Sequence, residues 1–429
     1  MVTKEKWAQA IKDFHEKWIP RFIERGLDVP VEMPIRRATT IIGPRRAGKT
    51  YLMYQIISRL AQKIRRQQIL YVNLEKADLG EMTLSDMVKM AEAFHELYPD
   101  IRNEDTFIFL DEIQNVPGWE RFVRTILDEG AKVFLSGSSS KLLSSEIATS
   151  MRGRSITYRL FTFSFSEYMR SKGMQVQKYF STQEKAKMLS LLANYMEYGG
   201  YPEAALYEQE RERILTEILE TTIYKDVIER AKIRNTKALK ILVSALANSL
   251  EFSAHKFHKY LKSNGMKISK TAIYSYIQHL NDAFIIFPLK KFSRTYKESE
   301  QSIPKIYFSD NGLLRIHGIT DKGRLMENLV FTELLRRNKK CAYYRSASGE
   351  VDFVLLNGNV PEQLIQVSYS TQGFGTHERE TKALIKASRE LKTKKMSIIT
   401  WEEEKEEQTE AGTIKYIPLW KWLLGEGKK

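Results

Sequence analysis

A chain of 429 residues, 42% of them hydrophobic, is long enough for roughly two to four domains with sizeable cores. Its single cysteine, Cys341, excludes an intramolecular disulfide and any metal site built from several cysteines, and it points to a reducing compartment, the cytoplasm. No apolar run approaches the about 18 residues of a transmembrane helix. The N-terminus lacks a signal-peptide core. The formal net charge of +15, from 68 Lys and Arg against 53 Asp and Glu, favours a polyanionic partner as much as it fits a generally charged surface.

Residues 1–35 form a lead-in. Trp7, Ile11, Phe14, Trp18, Phe22 and Ile23 recur at helical spacing, Pro20 interrupts, and Pro30 and Pro34 break the chain before the first strand. From 36 to 165 strands and helices alternate, the pattern of a parallel sheet covered by helices on both faces. A strand at 38–42 runs into Gly43-Pro44-Arg45-Arg46-Ala47-Gly48-Lys49-Thr50, after which Leu52, Met53, Ile56, Ile57, Leu60 and Ile64 recur at helical spacing. Strand, glycine loop and helix in this order satisfy G-x-x-x-x-G-K-[ST], a loop that cradles phosphates. Glycines let backbone N–H groups come close to phosphate oxygens. The expected nucleotide contacts are therefore Gly43, Pro44, Arg45, Arg46, Ala47, Gly48, Lys49, Thr50 and Tyr51, with Lys49 as the point charge for the outer phosphates.

A strand at 69–74 and a helix near 85–97 follow. The next apolar strand, at 106–110, ends in Asp111-Glu112. Thr50 and Asp111 are expected to hold a magnesium ion, and Glu112 to orient or deprotonate an attacking water. The two motifs together imply a nucleoside triphosphate, expected to be ATP, and Mg2+. A helix at 118–129, a strand at 133–138 and a strand at 155–160 complete the unit, with Arg152 and Arg154 just before the last strand. Ligands bind at the carboxyl ends of such strands, where the loop, the acid pair and Ser138 fall.

Residues 166–234 read as helical, with one strong break at Gly199-Gly200-Tyr201-Pro202. Residues 235–318 have the layout of a winged helix-turn-helix. A helix at 253–261 and a turn at Asn264-Gly265 precede a helix at 270–282 capped by Ser269, and strands at 284–289 and 305–308 would form the wing. Ile273, Ile277, Leu280 and Ala283 share the apolar face. Lys270, Thr271, Tyr274, Ser275 and Gln278 would be presented outward, with Lys290, Lys291 and Arg294 beside the wing. From His255 to Lys297 nine Lys and Arg stand against the single acid Asp282, a balance of +8, which is the footprint of a DNA-binding face. Residues 319–429 read as a helix bearing Glu327, strands at 342–345 and 350–355, a tight turn at Asn357-Gly358, and a third strand at 363–368. A helix at 378–391, a strand at 396–400 and a solvated charged loop at 402–407 follow.

The whole chain resembles the archaeal and bacterial AAA-type ATPases that carry a winged helix and a nuclease-like C-terminal domain. The resemblance rests on the phosphate loop at 43–50, Leu-Asp-Glu-Ile-Gln at 110–114 and Ser-Gly-Ser-Ser at 136–139. Gly199-Gly200-Tyr201-Pro202, Asp310-Asn311-Gly312-Leu313, Glu327-Asn328 and Glu350-Val351-Asp352-Phe353 add to it. It implies an α/β fold with an AAA+-like parallel sheet, in which the acid strand lies beside the phosphate-loop strand. A helical lid, a winged-helix domain and a nuclease-like α/β domain then follow. It implies that Ser138 or Ser136 acts as a sensor, and that Arg152 or Arg154 serves as an arginine finger for a neighbouring subunit. It also implies a homo-oligomer, with a hexameric ring as one form. In the PD-(D/E)XK nuclease fold a helix glutamate, a strand aspartate and a Glu-x-Lys strand hold magnesium and activate water. Glu327 and Asp352 match, but Gln366 and Ser368 stand where the glutamate and lysine would be, so the domain is expected to lack hydrolytic chemistry.

The sequence thus leads to a magnesium-dependent ATPase acting on nucleic acid, with DNA favoured and no membrane partner. Two alternatives stay open: a regulatory ATPase whose C-terminal domains bind protein, and an active ATP-dependent nuclease with a displaced third ligand.

Overall fold

The computed structural model describes residues 2–32, 35–75, 80–138, 151, 153–346, 349–370 and 374–425. The chain divides into two compact units, Met1–Phe161 and Thr162–Lys429. Among the described residues no helix is long and apolar enough to cross a membrane.

In the first unit, helix α1 (Lys4–Glu16) is capped by the Thr3 side chain, which accepts from the Lys6 N–H, and it buries Trp7 and Ile11. The helical spacing read through Ile23 does not continue as helix. Lys17 is already extended, and Trp18 stands 94% exposed. Pro20 explains the stop, since it would remove a helical donor and disfavours helical geometry in the residue before it.

The strands β1 (Ala38–Ile42), β2 (Ile69–Asn73), β3 (Phe107–Asp111), β4 (Lys132–Gly137) and β5 (Ser155–Arg159) form one parallel sheet in the order β2-β3-β4-β1-β5. The acid strand β3 is therefore not beside β1. β4 lies between them, pairing Ile41 with Ser136 on one side and Phe109 with Phe134 on the other. Val133, Phe134 and Leu135 of β4 are all buried, which suits an interior strand with a helix layer on each face. Phe109 and Phe134 stack with centroids 4.5 Å apart. Helix α2 (Lys49–Leu60) packs Leu52, Met53, Ile56, Ile57 and Leu60 against Ile41, Phe107, Phe109 and Phe134. Each such side chain contributes about 1.5–3 kcal/mol relative to exposure. Helices α3 (Leu84–Leu97) and α4 (Trp119–Asp128) complete the described layers.

The second unit opens with α5 (Phe165–Ser171) and α6 (Thr182–Tyr198), each started by a serine–glutamate capping box. At the Gly-Gly-Tyr-Pro break α6 stops and α7 (Pro202–Leu206) begins with proline in its first turn. A buried carboxylate holds this break. Asp310 accepts from the N–H of Gly200 and of Gly312, both at 2.8 Å, and from the Thr162 hydroxyl at 2.7 Å. Burial pushes its carboxyl up, and these donors pull it back down. Asn311 donates to the Met196 and Leu325 carbonyls, and Asn328 clasps the Phe308 backbone through both its N–H and its C=O. Three motifs scattered along the sequence thus form one packing knot. Helices α8 (Arg211–Thr221), continued by a π-helical stretch at Thr222–Glu229, and α9 (Thr236–Asn248) follow.

Helices α10 (Ala254–Ser263) and α11 (Lys270–Asp282) start at the caps Ser253 and Ser269, whose side chains accept from the N–H of Lys256 and Ala272. β6 (Ile286–Leu289) pairs antiparallel with β7 (Lys305–Phe308). Short helix α12 (Asn311–Arg315) and helix α13 (Lys322–Arg336) lead into a six-stranded sheet. Its strands are β8 (Lys340–Ser346), β9 (Gly349–Asn357), β10 (Val360–Ser368), β11 (Met396–Thr400), β12 (Lys405–Thr409) and β13 (Gly412–Pro418), in the order β12-β13-β11-β10-β9-β8. Helix α14 (Phe374–Leu391) packs Leu384 and Ala387 on Val351, Val354, Leu364 and Ile398, and α15 (Leu419–Leu424) closes the chain.

Two local expectations shift. The β9–β10 turn is Gly358-Asn359, one residue later than read, because Asn357 still pairs with Val360 while Gly358 takes φ +62°. The charged run at 402–407 is not wholly a loop. From Lys405 it becomes edge strand β12 on β13, where a row of charges suits an edge that must not recruit further strands.

Candidate nucleotide and acidic sites

β1 is buried along its length, so the chain must turn sharply where it leaves the sheet. Gly43 permits this, since a Cβ there would lie 1.9 Å from the Leu160 carbonyl oxygen. Gly48 sits at φ +95°, a left-handed conformation that costs other residues about 1–2 kcal/mol. α2 starts at the next residue, so the N–H groups of its first turn adjoin the loop. Lys49 is 4% exposed. Its ammonium donates to the carbonyls of Pro44 at 3.1 Å and Gly43 at 3.3 Å, and lies 3.9 Å from the Glu112 carboxylate.

The Thr50 hydroxyl donates to Asp111 Oδ2 at 2.6 Å and the Tyr71 hydroxyl to the same oxygen at 3.1 Å, while the Ser136 hydroxyl donates to Oδ1. Burial pushes the Asp111 carboxyl up; the Ser136 and Thr50 hydroxyls counter it, Glu112 adds to it and Lys49 opposes it. Glu112 follows in the left-handed region at φ +58°. Its N–H donates to Ser136 Oγ at 3.0 Å, and its carboxylate accepts from Gln114 Nε2 at 2.5 Å. An ammonium among loop carbonyls, a hydroxyl touching a carboxylate, and a second carboxylate beside them fit a triphosphate and a hard divalent cation. Thr50 and Asp111 could hold the cation.

Of the remaining loop contacts, Arg45 pairs with Glu75 at 3.5 Å, while Arg46 and Tyr51 are exposed. Ser138 is buried just past the end of β4, but it is Ser136 that the sheet brings onto Asp111. Arg25 escaped the sequence reading altogether. It is buried, and its guanidinium donates to the Ala47 carbonyl at 2.7 Å and the Phe161 carbonyl at 2.6 Å, so it braces the loop from behind. Nothing in its irregular surroundings marked it. Arg154 lies beside the start of β1, at the amino-terminal end of the parallel strands and so opposite the loop. Its carbonyl accepts from the N–H of Ala38, the first residue of β1, roughly 16 Å from the loop at about 3.3 Å per residue. Its guanidinium pairs with Asp128. Arg152 lies outside the described residues.

On α11, Lys270, Thr271, Tyr274, Ser275 and Gln278 are all exposed, as expected, with the Gln278 amide donating to Asp282 at 2.9 Å. The cations beyond β6 are less available. Lys290 pairs with Glu300 at 2.5 Å, Arg294 donates to the Glu390 carbonyl at 3.3 Å, and Lys291 is half-buried. Extending the basic window from Lys297 to Glu300 brings nine basic residues against three acids, a balance of +6.

Glu327 of α13 and Asp352 of β9 do come together, and Glu350 joins them. All three meet the ammonium of Lys305, which is 1% exposed: Glu350 at 2.6 Å, Glu327 at 2.9 Å and Asp352 at 3.1 Å. Burial works against the Lys305 charge, but the three carboxylates outweigh it and hold it protonated. One ammonium shared by three acids does not satisfy them all, and burial with the neighbouring Glu327 pushes the Asp352 carboxyl up. Gln366 accepts from the Asp352 N–H at 3.2 Å and donates to Glu380, and Ser368 donates to the Ser370 carbonyl. Lys382 and Lys386 of α14 pair with Glu378 and Glu390 on the same helix.

A family model described as an AAA domain matches residues 35–169, and two described as domains of unknown function, DUF8612 and DUF4143, match 189–322 and 322–422. The uncharacterized protein MJ1544 of Methanocaldococcus jannaschii is 37% identical over 412 residues, covering 92% of this chain and 90% of that protein. An uncharacterized protein of Haemophilus influenzae is 30% identical over 397 residues, covering 90% and 93%. Among solved structures, the Walker-type ATPase paby2304 of Pyrococcus abyssi matches with TM-score 0.43 at 14% identity, over 74% of this chain and 96% of that one.

Proposed function

We propose, since the chain belongs to the family of the Methanocaldococcus protein and carries an AAA domain, that it hydrolyses ATP with magnesium and couples this to binding DNA. The observation that carries the reading is the convergence of Lys49, Thr50, Asp111 and Glu112 at the carboxyl ends of β1 and β3. Lys49 and the loop N–H groups bind and orient the phosphates. Thr50 and Asp111 hold magnesium, which when bound neutralises phosphate charge. Glu112 positions the attacking water and takes its proton. Ser136 keeps Asp111 and Glu112 in register, with Ser138 beside it as the second sensor candidate. The finer division is 1–35 lead-in, 36–165 ATPase core, 166–234 lid, 235–318 winged helix and 319–429 nuclease-like domain, in a cytoplasmic homo-oligomer. The test is phosphate release from ATP, measured with and without duplex DNA at two salt concentrations.

The DNA face we assign is α11 with the basic segment after β6. Charge-neutralising Lys270, Lys291 and Arg294 together is expected to weaken duplex binding for all sequences and to flatten its salt dependence by roughly 0.9 in slope per lost phosphate contact. Substituting Tyr274 or Gln278 should alter preference among sequences more than overall affinity. Fluorescence anisotropy across a salt series decides, and unchanged affinity in the triple variant removes DNA from the reading. The Lys290–Glu300 pair favours the second reading, a protein-binding role for this surface, and that outcome would support it.

Arg154, too far from its own loop, fits a finger acting on a neighbouring subunit, worth about 10³-fold or more in rate in comparable systems. Mixing Arg154→Ala with Lys49→Ala protein is expected to restore part of the activity that each lacks. Full activity of Arg154→Ala at high dilution would end this assignment.

A further inference from the structure

Lys305 lies on β7, while the three acids around it come from α13 and β9. Lys305 and Tyr307 are two residues apart on one strand and so share a face. Both reach Glu327 Oε1, the ammonium at 2.9 Å and the Tyr307 hydroxyl at 2.6 Å. Both oxygens of Asp352 and of Glu350 have a donor. Asp352 Oδ1 takes the ammonium at 3.1 Å and Oδ2 takes the Val367 N–H at 3.0 Å. Glu350 takes the ammonium at 2.6 Å and also the Arg345 guanidinium, which in turn holds Glu251. The residues before β7 are drawn into the same assembly, since Leu250 accepts from the Ile306 N–H and Phe252 donates to Pro304.

A divalent cation needs carboxylate oxygens at about 2.0–2.6 Å on open coordination positions. Here an ammonium with three donors stands among those oxygens, fixed from all sides and shut off from solvent. We infer that Lys305 is the resident cation of this acidic pocket, in the place a divalent metal would otherwise take, and that its ion pairs fasten the β6–β7 ribbon to α13 and the C-terminal sheet. The pocket accepts no metal while the ammonium is present. Its acids serve as an internal cation clasp, and removing the ammonium turns the clasp into a divalent-cation site.

The test is Mn2+ binding to the full chain without nucleotide, followed by the electron paramagnetic resonance of free Mn2+. Nucleotide is left out so that the result stands apart from the ATPase reading. Wild type and Asp352→Asn are expected to bind Mn2+ alike. Lys305→Gln keeps a polar donor but no charge. It is expected to gain one site per chain, at least about tenfold tighter than any binding by wild type, since an unpaired buried acid cluster is strongly destabilising. The double variant Lys305→Gln/Asp352→Asn should lose that site. Where Lys305→Gln does not fold, Lys305→Met/Glu350→Gln, which removes one acid along with the cation, takes its place with the same expectation. Mn2+ binding by wild type that Asp352→Asn abolishes would overturn the inference, and would favour an active metal-dependent nuclease. A folded Lys305 variant that gains no site would overturn it as well.

Discussion

Glu112→Gln is expected to bind ATP within about threefold of wild type but to turn it over roughly 10²- to 10⁴-fold more slowly, the usual worth of a positioned general base. The geometry explains why binding should survive. Glutamine keeps the shape that Gln114 contacts, and the N–H bond to Ser136 belongs to the backbone. Only the basic oxygen is lost. Lys49→Ala should fail differently, losing affinity and turnover together, because in the proposed mechanism the ammonium that the loop surrounds supplies the positive charge for the outer phosphates. Glu112→Gly separates role from conformation, since glycine accepts the φ of +58° found here more readily than glutamate, yet turnover should still collapse. Nucleotide affinity by fluorescence and single-turnover hydrolysis distinguish the three. Glu112→Gln protein hydrolysing at the parental rate would remove this residue from the mechanism.

Gly199→Ala is expected to destabilise the Thr162–Lys429 unit by more than about 4 kcal/mol, the range reserved for broken cores and buried networks. A Cβ at this position would lie 1.6 Å from Asp310 Oδ1, and Gly199 already sits at φ +75°. Neither the buried carboxylate nor the helix end can withdraw without releasing the Gly200 and Gly312 N–H bonds. Asp310→Ala should cost a similar amount by leaving those donors and the Thr162 hydroxyl unsatisfied in the interior. Urea unfolding should show the transition of this unit moved to lower denaturant, while ATP affinity in the Met1–Phe161 unit stays within about threefold of wild type. A shift of less than about 1 kcal/mol for both variants would mean that the knot is not what holds α6 and α12 together.

What the sequence determined by itself was local. The phosphate loop, its flanking strand and helix, the acid pair, and the cap Ser269 were legible because each depends on neighbours within one turn or strand. The outward positions of Lys270, Tyr274 and Gln278 followed from helical periodicity alone. Where local signals compete, the spacing of Trp18, Phe22 and Ile23 points to helix while Pro20 interrupts it, and the chain follows the proline. The tertiary structure decided the rest, because hydrophobic pattern says that a strand is buried but not which strand lies beside it. Only the assembled sheet places β4 between β1 and β3, which is what sets Ser136 on Asp111. Arg25 reaches the loop from outside any motif. Lys305 meets Glu327, 22 residues on, and Asp352, 47 residues on, because folding sets β7 beside α13 and β9, and a charge finds its partners across such distances only after the apolar surfaces around it have packed.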